Sequence, residues 1–336
     1  MQISPETQLF IREHQTDDVR ALALQARKYP NVDMPTAITQ IAGRQVAAEK
    51  IPSWRDTDDI WYPKHLSLEQ CSSEVTARYK ATLLKGNSLT DLTGGFGIDC
   101  AFLAAKFKSA IYVERQQELC EIAAHNFPIL NLNHINVKNE DGVSYLQAMS
   151  PVDCIFLDPA RRNEHGGKTV AISDCEPDVA ELEELLLNKA GQVMVKLSPM
   201  LDLSLALKEL QHVQEVHIIS ANNECKELLL ILGQASVEEI SIHCVNLPTK
   251  GIQEEQHFVF TREQEQCSEC NYTDTLENYL YEPNASLLKA GAFRSIASAF
   301  PVKKLHPNSH LYTSDVLVES FPGRAFHIIS QCSLNK

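Results

Sequence analysis

Four carboxylates stand at the ends of predicted strands, which is where ligands bind in open α/β sheets. Asp91 ends the run SLTD and Glu114 ends the run AIYVE. Asp141 follows INVKNE, and Asp158 follows CIFL. Each carboxylate alone is also explained by a solvated strand end or by an Asp-Gly turn. Acids at successive strand ends beside one glycine-rich loop predict instead a pocket for a ligand that carries cationic and hydroxyl groups.

The glycine-rich loop DLTGGFGID follows the first of these strands and precedes a predicted helix. Gly94, Gly95 and Gly97 carry no side chain that would keep a ligand away from the backbone. The dinucleotide motif G-x-G-x-x-G fails, because Cys100 occupies the third glycine position. What remains is an acid at the strand end followed by G-x-G. It suits a ligand with an ammonium group, such as the methionine part of S-adenosylmethionine.

The next two strand ends complete this interpretation. Glu114 lies 23 residues after Asp91 and is predicted to accept hydrogen bonds from both ribose hydroxyls. Asp141 is predicted to receive the adenine amino group. The predicted cofactor-binding residues are Asp91, Thr93, Gly94, Gly95, Phe96, Gly97, Glu114, Arg115, Asp141, Gly142 and Asp158.

A regular alternation of strands and helices must position these residues. From Ser88 onwards the sequence shows five strand–helix units, followed by a hairpin around ANNECK. Such units form a parallel sheet with helices on both faces. The sequence therefore predicts an α/β fold with a Rossmann-like, seven-stranded sheet. The runs EEISIHCVNL and HFVFT are predicted to add strands at its edge.

Two further regions flank the predicted sheet domain of residues 81–282. Residues 1–80 are predicted to be helical, and Ser67 is predicted to cap one helix over SLEQCSSEVTARYKATLL. Residues 283–336 are predicted to form a small α+β domain. This stretch holds six basic and two acidic residues, a net charge of +4, whereas the whole chain carries −14. The change in charge marks the boundary.

Composition excludes several classes of protein. No apolar run approaches the ~20 residues of a membrane span, and the N-terminus lacks the pattern of a signal peptide. The ten cysteines follow no disulfide spacing, and Cys267 and Cys270 have no second pair at zinc-finger spacing. We therefore expect a cytoplasmic protein with reduced thiols, no membrane contact and no bound metal. The net charge of −14 also argues against a general polyanion binder.

The motifs DLTGGFGID, YVER, NEDG and LDPARR together resemble those of class I S-adenosylmethionine-dependent methyltransferases, which share a seven-stranded sheet. QIAGRQVAAEKIPSW, LSLEQCSSEVTARYKA, NECKELLL and EPNASLLKAGAF are similar to bacterial methyltransferases with a THUMP-like C-terminal region. The resemblance covers nearly the whole chain. It implies S-adenosylmethionine as cofactor, an RNA substrate and a ferredoxin-like domain over residues 283–330. The family commonly continues into a THUMP-like module, which we expect this chain to lack.

The stretch DPARR follows the fourth strand, whose end faces the transferred methyl group in this fold. Similar enzymes that methylate base amino groups carry (D/N)-P-P-(Y/F/W) here, and the acid and a backbone carbonyl accept the amine protons. This chain keeps Asp158 and Pro159 but has Ala160 and Arg161 next, so the stacking ring is missing. We predict that Asp158, Pro159 and Arg161 are catalytic. Arg161 and Arg162 are predicted to stack on a base or hold an anionic group, the alternative being a surface salt-bridge pair.

A covalent mechanism is disfavoured by the fifth strand. Uridine C5 methyltransferases carry a catalytic cysteine shortly before a proline after that strand, but Leu197 stands at that position in VKLSP. Cys225, in NNECKE, is better explained as a buried or hairpin thiol.

Three hypotheses follow. The leading hypothesis is an S-adenosylmethionine-dependent methyltransferase for a tRNA or rRNA base, with the basic C-terminal domain on the phosphate backbone. The second is a methyltransferase for a small anionic metabolite, which the net charge of −14 favours. The third is a non-catalytic protein that binds the cofactor or RNA. The sequence predicts no oligomeric state.

Overall fold

The structure is a computed structural model that describes residues 3–161, 171–248 and 254–332. Helices and strands alternate through the middle of the chain, as the sequence predicts. None of the helices in the described ranges is both long enough and apolar enough to cross a membrane.

Contacts within the chain divide it into two units. The first unit consists of residues 1–158 and 184–193, and the second consists of residues 159–183 and 194–336. The three-part division that the sequence suggests stays a prediction.

The first unit begins with short helices whose starts are set by polar caps. The side chains of Ser4, Asp33 and Ser73 each accept a hydrogen bond from the backbone N–H three residues later. These bonds satisfy donors that a helix leaves without a partner at its first turn. The helices are α1 (Pro5–Glu13), α2 (Val19–Leu24), α3 (Met34–Lys50), α4 (Pro52–Arg55), α5 (His65–Gln70) and α6 (Glu74–Leu83), with a 3₁₀ turn at Ala26–Lys28.

The single helix predicted from Ser67 to Leu84 is wrong. Ser67 lies inside α5, and Cys71 has an extended backbone that ends this helix. Ser73 then caps the separate helix α6. Serine side chains compete for backbone hydrogen bonds and so favour caps over helix interiors, which explains a break within the sequence Cys-Ser-Ser.

A small apolar core holds the first three helices together. Phe10, Leu22, Met34, Ala37 and Ile41 are all buried in one cluster. Their burial removes apolar surface from water, which stabilises helices that are too short to persist alone.

Parallel strands follow these helices in the first unit. Strand β1 pairs in parallel with both β2 and β4, and β2 pairs in parallel with β3. The order is therefore β4-β1-β2-β3, and the carboxyl ends of the strands meet at one edge. The elements are β1 (Ser88–Asp91), α7 (Ile98–Ala104), β2 (Ser109–Glu114), α8 (Gln117–Ile129), β3 (Ile135–Asn139), α9 (Gly142–Ala148) and β4 (Val152–Leu157).

The second unit contains another set of strands. Strand β8 pairs antiparallel with β9 and parallel with β10, and β10 pairs antiparallel with β11. The elements are β5 (Ala160–Arg161), a 3₁₀ turn (Ile172–Asp174), β6 (Cys175–Glu176), α10 (Val179–Lys189), β7 (Ala190–Leu197), α11 (Leu203–Glu209), β8 (Val213–Ala221), β9 (Glu224–Gly233), β10 (Ser241–Leu247), β11 (Gln256–Phe260) and α12 (Arg262–Cys267). Helix α10 and strand β7 each have residues in both units.

The predicted hairpin and the two extra strands are confirmed. The hairpin turns at Asn222 and Asn223, which have φ values of 54° and 57°. Asparagine tolerates this left-handed conformation, which a tight two-residue hairpin turn requires. The extra strands are β10 and β11, formed by the runs that the alternating pattern marks.

The end of the second unit is a small antiparallel sheet with two helices. Its strand order is β13-β14-β12-β15. The elements are β12 (Tyr279–Pro283), α13 (Ala285–Ala290), α14 (Arg294–Ala299), β13 (Lys303–Lys304), β14 (Tyr312–Ser314) and β15 (Gly323–His327).

A buried ion pair connects α6 to the first turn of α7. The Lys80 side chain is fully buried, and its Nζ lies 3.1 Å from Oδ1 of Asp99. Ser72 joins the pair, because its Oγ donates to Oδ2 of Asp99 and accepts a hydrogen bond from Lys80. The pair fixes the helix that follows the glycine-rich loop.

We expect Lys80→Met to lower the free energy of unfolding by about 3–5 kcal/mol, because Asp99 would stay buried without this ammonium group. Urea unfolding followed by tryptophan fluorescence measures the change, since both tryptophans, Trp54 and Trp61, lie in the first unit.

Lys64→Met is the matched control, because Lys64 pairs with Glu118 on the exposed surface. It should cost at most about 1 kcal/mol. Equal losses from the two substitutions would show that the buried pair has no special role.

Candidate active site

The glycine-rich loop has the tight backbone that its sequence predicts. The N–H of Gly97 donates to the carbonyl of Gly94 over 2.9 Å. Gly95 and Gly97 have φ values of 55° and 89°, which residues with a side chain rarely adopt. Gly97 stands immediately before α7, so the loop leads directly into the amino end of this helix.

Tyr112 of β2 packs against the glycine-rich loop. Its ring is fully buried, and a Cβ atom on Gly94 would lie only 2.2 Å from its Cε2 atom. The Tyr112 hydroxyl donates to the carbonyl of Gly95, and the N–H of Gly94 donates to the carbonyl of Val113 over 2.9 Å. Any side chain at position 94 would therefore displace the loop from the sheet.

Asp91 is a buried carboxylate with an unused oxygen. Its side chain has no exposed surface. Oδ1 accepts a hydrogen bond from the N–H of Thr93 over 3.0 Å, whereas Oδ2 has no hydrogen-bond partner among the described residues. A buried acceptor without a donor costs about 1–3 kcal/mol, and more when it is charged. The arrangement fits a cationic group that would supply the missing donor.

The electrostatic surroundings of Asp91 strengthen this interpretation. Burial raises the pKa of the Asp91 carboxyl well above its usual range, and the nearby acids Asp99, Asp158 and Glu114 raise this pKa further. The hydrogen bond from Thr93 opposes these effects. Several carboxylates around one buried site create a negative potential, which an ammonium or sulfonium group would relieve.

Asp158 is held beside the loop by Thr93. The N–H of Asp158 donates to Oγ1 of Thr93 over 2.6 Å. This bond joins the residue that follows β4 to the residues that follow β1. Thr93 thus positions two predicted site residues, because its N–H contacts Asp91 and its hydroxyl contacts Asp158.

Both carboxylate oxygens of Glu114 accept backbone hydrogen bonds, one of them from the glycine-rich loop. Oε2 accepts from the N–H of Gly95 over 2.9 Å, and Oε1 accepts from the N–H of Gln116 over 2.8 Å. Each carboxylate oxygen can accept a second hydrogen bond, so Glu114 can still receive hydroxyl donors. Its predicted contact with ribose stays a prediction.

Asp141 caps the helix α9, as the turn interpretation of its sequence suggests. Its Oδ1 accepts hydrogen bonds from the N–H groups of Val143 and Ser144 over 3.1 and 3.0 Å. The next residue, Gly142, lies so close to β1 that a Cβ atom there would be 2.3 Å from the carbonyl oxygen of Leu92. Asp141 is therefore placed at the same edge as Asp91, and its predicted contact with adenine stays a prediction.

The side chain of Phe96 is directed into the protein interior. Its side chain is buried and packs edge-on against Trp54, with ring centroids 5.1 Å apart. Arg115 is exposed at the end of β2, and Pro159 is buried. Arg161 lies in strand β5, whereas Arg162 lies outside the described residues.

Sequence reasoning missed the pair formed by Lys80 and Asp99. Asp99 falls within the quoted loop, but Lys80 is 19 residues earlier, in a helix with many polar residues. A lysine at one position of such a helix gives no sign that it is fully buried. Only the packing of α6 on α7 reveals the contact.

Comparisons with known proteins agree with this geometry. The family model for protein-L-isoaspartate(D-aspartate) O-methyltransferase matches residues 49–163, and a model for a ferredoxin-like domain matches residues 279–322. The crystal structure of a "putative methyltransferase" from Porphyromonas gingivalis W83 is 37% identical to the chain, with a TM-score of 0.84. The match covers 96% of this chain and 81% of that one. The chain belongs to the methyltransferase family of this Porphyromonas gingivalis protein.

The predicted fold class is confirmed, including the ferredoxin-like region near the C-terminus. Two other solved structures match about half of this chain. An rRNA methylase from Streptococcus thermophilus is 16% identical, with a TM-score of 0.34, over 48% of this chain and 95% of that one. A "putative methyltransferase" from Streptococcus mutans in complex with SAH is 15% identical, with a TM-score of 0.35, over 47% and 95%. The family assignment therefore rests on the Porphyromonas gingivalis structure. No curated protein matches the chain.

We expect Asp91→Asn to stabilise the ligand-free protein at pH 8 by roughly 1–3 kcal/mol, because it removes a buried uncompensated charge. The folded-state pKa of Asp91 is raised, so its contribution to stability is present below the unfolded pKa and is lost as the pH rises through the folded pKa. The gain from the substitution should therefore shrink towards pH 5. Thermal unfolding at the two pH values measures it.

Asp153→Asn is the control of opposite sign. Hydrogen bonds from the N–H groups of Asn87 and Ser88 lower the pKa of Asp153, so its substitution should destabilise the protein at pH 8. An Asp91→Asn protein that is less stable than wild type at pH 8 would contradict the expected cost of burying the Asp91 carboxylate.

Proposed function

We propose that this chain transfers the methyl group of S-adenosylmethionine to an RNA base. The observation that carries the cofactor assignment is the buried Asp91, whose Oδ2 has no partner among the described residues. A neutral ligand would leave that charge uncompensated, whereas an amino acid ammonium group supplies both a positive charge and hydrogen-bond donors.

Each residue of the site would bind a different part of the cofactor. Asp91 would hold the ammonium group of the methionine part, and the backbone of Gly94 to Gly97 would lie against the ligand. Glu114 would accept the ribose hydroxyls, and Asp141 would receive the adenine amino group. When bound, S-adenosylmethionine supplies an electrophilic methyl group on a sulfonium.

Asp158 and Pro159 would prepare the nucleophile. A base amino group can donate its protons to a carboxylate and to the backbone carbonyl that follows it. The hydrogen bond from its own N–H to Thr93 fixes Asp158 relative to the loop. In-line displacement depends mainly on proximity and alignment, so the fixed position of Asp158 is its main contribution.

A base amino group is the acceptor we propose for the RNA. The retained Asp158 and Pro159 can accept hydrogen bonds from an amino group. Leu197 leaves no cysteine nucleophile at the end of β7. Arg161 is proposed to replace the missing aromatic ring by stacking on the base.

A small anionic substrate is the second candidate, and the ion pairs of the second unit favour it. Lys303 pairs with Glu277, and Arg324 pairs with Glu282, and both acids lie just before the basic stretch that starts at residue 283. The net charge of +4 for that stretch therefore overstates its positive surface. The described basic residues with partners there are Lys289, Arg294, Lys303, Lys304 and Arg324.

We expect Asp91→Asn to weaken S-adenosylmethionine binding at least tenfold, or about 1.4 kcal/mol, because the ammonium group would lose its counter-charge. Isothermal titration calorimetry at pH 8 measures this. Glu121→Gln removes an exposed acid on α8 and should leave the affinity unchanged. Equal affinity in all three proteins would place the cofactor elsewhere.

We expect Asp158→Ala to abolish methyl transfer while S-adenosylmethionine binding changes less than threefold. Labelled methyl transfer into separated tRNA, rRNA, protein and small-molecule fractions of a cell lysate measures turnover. Label in an RNA fraction supports the proposed substrate, and label among small molecules alone favours the second candidate. Turnover that persists in Asp158→Ala would refute the role of Asp158.

A further inference from the structure

Three histidines and a glutamate share one face of the sheet formed by β8, β10 and β11. Glu215 and His217 are two residues apart on β8, so they point to the same side. His217 pairs directly with His243 of β10. Val245, two residues after His243, pairs with His257 of β11, so His257 lies on this face as well. The strand register alone brings the four side chains together.

Candidate ligand atoms lie close together within this cluster. Oε2 of Glu215 lies 3.1 Å from Nε2 of His217, and Nδ1 of His243 lies 3.2 Å from Nε2 of His257. The candidate ligand atoms of Glu215, His217 and His243 all lie within 4.8 Å of one another. In a tetrahedral zinc site with bonds of about 2.1 Å, neighbouring ligand atoms are roughly 3.4 Å apart.

The cluster runs from the interior to solvent. The His217 side chain is 2% exposed, whereas the Glu215 side chain is 46% exposed. His243 is half-buried and His257 is exposed. An ion could therefore reach the cluster from solvent and be held by a ligand that is itself rigidly packed.

Ser241 supports one nitrogen of His243. Its Oγ lies 3.1 Å from Nε2 of His243, which leaves Nδ1 directed towards His257. A metal-binding histidine usually has its other nitrogen fixed by a hydrogen bond in this way. The His217 and His243 rings are stacked, with centroids 4.3 Å apart, so shared ligation requires the half-buried His243 ring to turn about its Cβ–Cγ bond and its contact with Ser241 to adjust.

We infer that Glu215, His217 and His243, with His257 as a fourth ligand, bind one divalent transition-metal ion. Imidazole nitrogens with a single carboxylate suit zinc best among the abundant ions, whereas magnesium and calcium prefer oxygen ligands. The ion would join β8, β10 and β11 of the second unit. The cluster shares no residue with the set proposed for the cofactor or for methyl transfer.

Zinc binding to the full-length, chelator-treated chain tests the inference. We expect one equivalent of Zn²⁺ to bind in competition with a chromogenic chelator. His243→Gln and Glu215→Gln should each weaken binding at least tenfold. Both residues are partly exposed, so these variants should fold, which circular dichroism checks. Buried His217 is left unchanged, because its substitution could unfold the protein.

Two controls separate this site from other donors. His327→Gln changes an exposed histidine on β15 of the same unit and should bind zinc as wild type does. A Cys267→Ser/Cys270→Ser variant removes the CxxC pair and should also retain the site. The inference is overturned if zinc does not bind at one equivalent, or if His243→Gln and Glu215→Gln leave its affinity unchanged. Loss of binding in the cysteine variant would overturn it too.

Cobalt substitution gives a spectroscopic check. Co²⁺ held by imidazole and carboxylate should show visible d–d bands without a thiolate charge-transfer band, and His243→Gln should remove these bands. A thiolate band in the wild-type protein would assign the ion to cysteines instead and would refute the proposed ligands.

Discussion

The site depends on how the fold compensates three buried or largely buried acids around one glycine-rich loop. Asp99 lies 3.1 Å from the Lys80 ammonium group, and Glu114 accepts two backbone N–H groups. Asp91 accepts only one, from Thr93, and its second oxygen has no partner in the described part of the chain. Burying an uncompensated carboxylate is costly. A cation beside Oδ2 of Asp91 would reduce this cost.

Close packing gives the loop its shape. Tyr112 presses on Gly94, and the carbonyl of Leu92 presses on Gly142, at distances that leave no room for a Cβ atom. These two contacts set how closely the glycine-rich loop and the start of α9 can approach β2 and the end of β1. Thr93 then fixes Asp158 at the same edge. Gly94 and Gly142 are therefore required by their packing against the protein itself, whether or not a ligand also needs them.

Local patterns explain which predictions are confirmed and which are wrong. The alternation of strands and helices, the Asn-Asn hairpin and the glycine loop depend on neighbouring residues, and the structure confirms them. The helix predicted from Ser67 fails because a cap at Ser73 outweighs the helical periodicity around it. The net charge of residues 283–336 leaves out two acids that precede this stretch, Glu277 and Glu282, which pair with Lys303 and Arg324.

The sequence by itself determined the α/β fold, the loop backbone and the types of residue at the strand ends, because all three follow from short-range spacing. Tertiary structure decided which acid stays uncompensated, since burial and the distance between Lys80 and Asp99 depend on helix packing. It also decided that His217, His243 and His257 share one face. That outcome depends on the register between strands, which is set by long-range pairing and hydrophobic burial, and no local pattern records it.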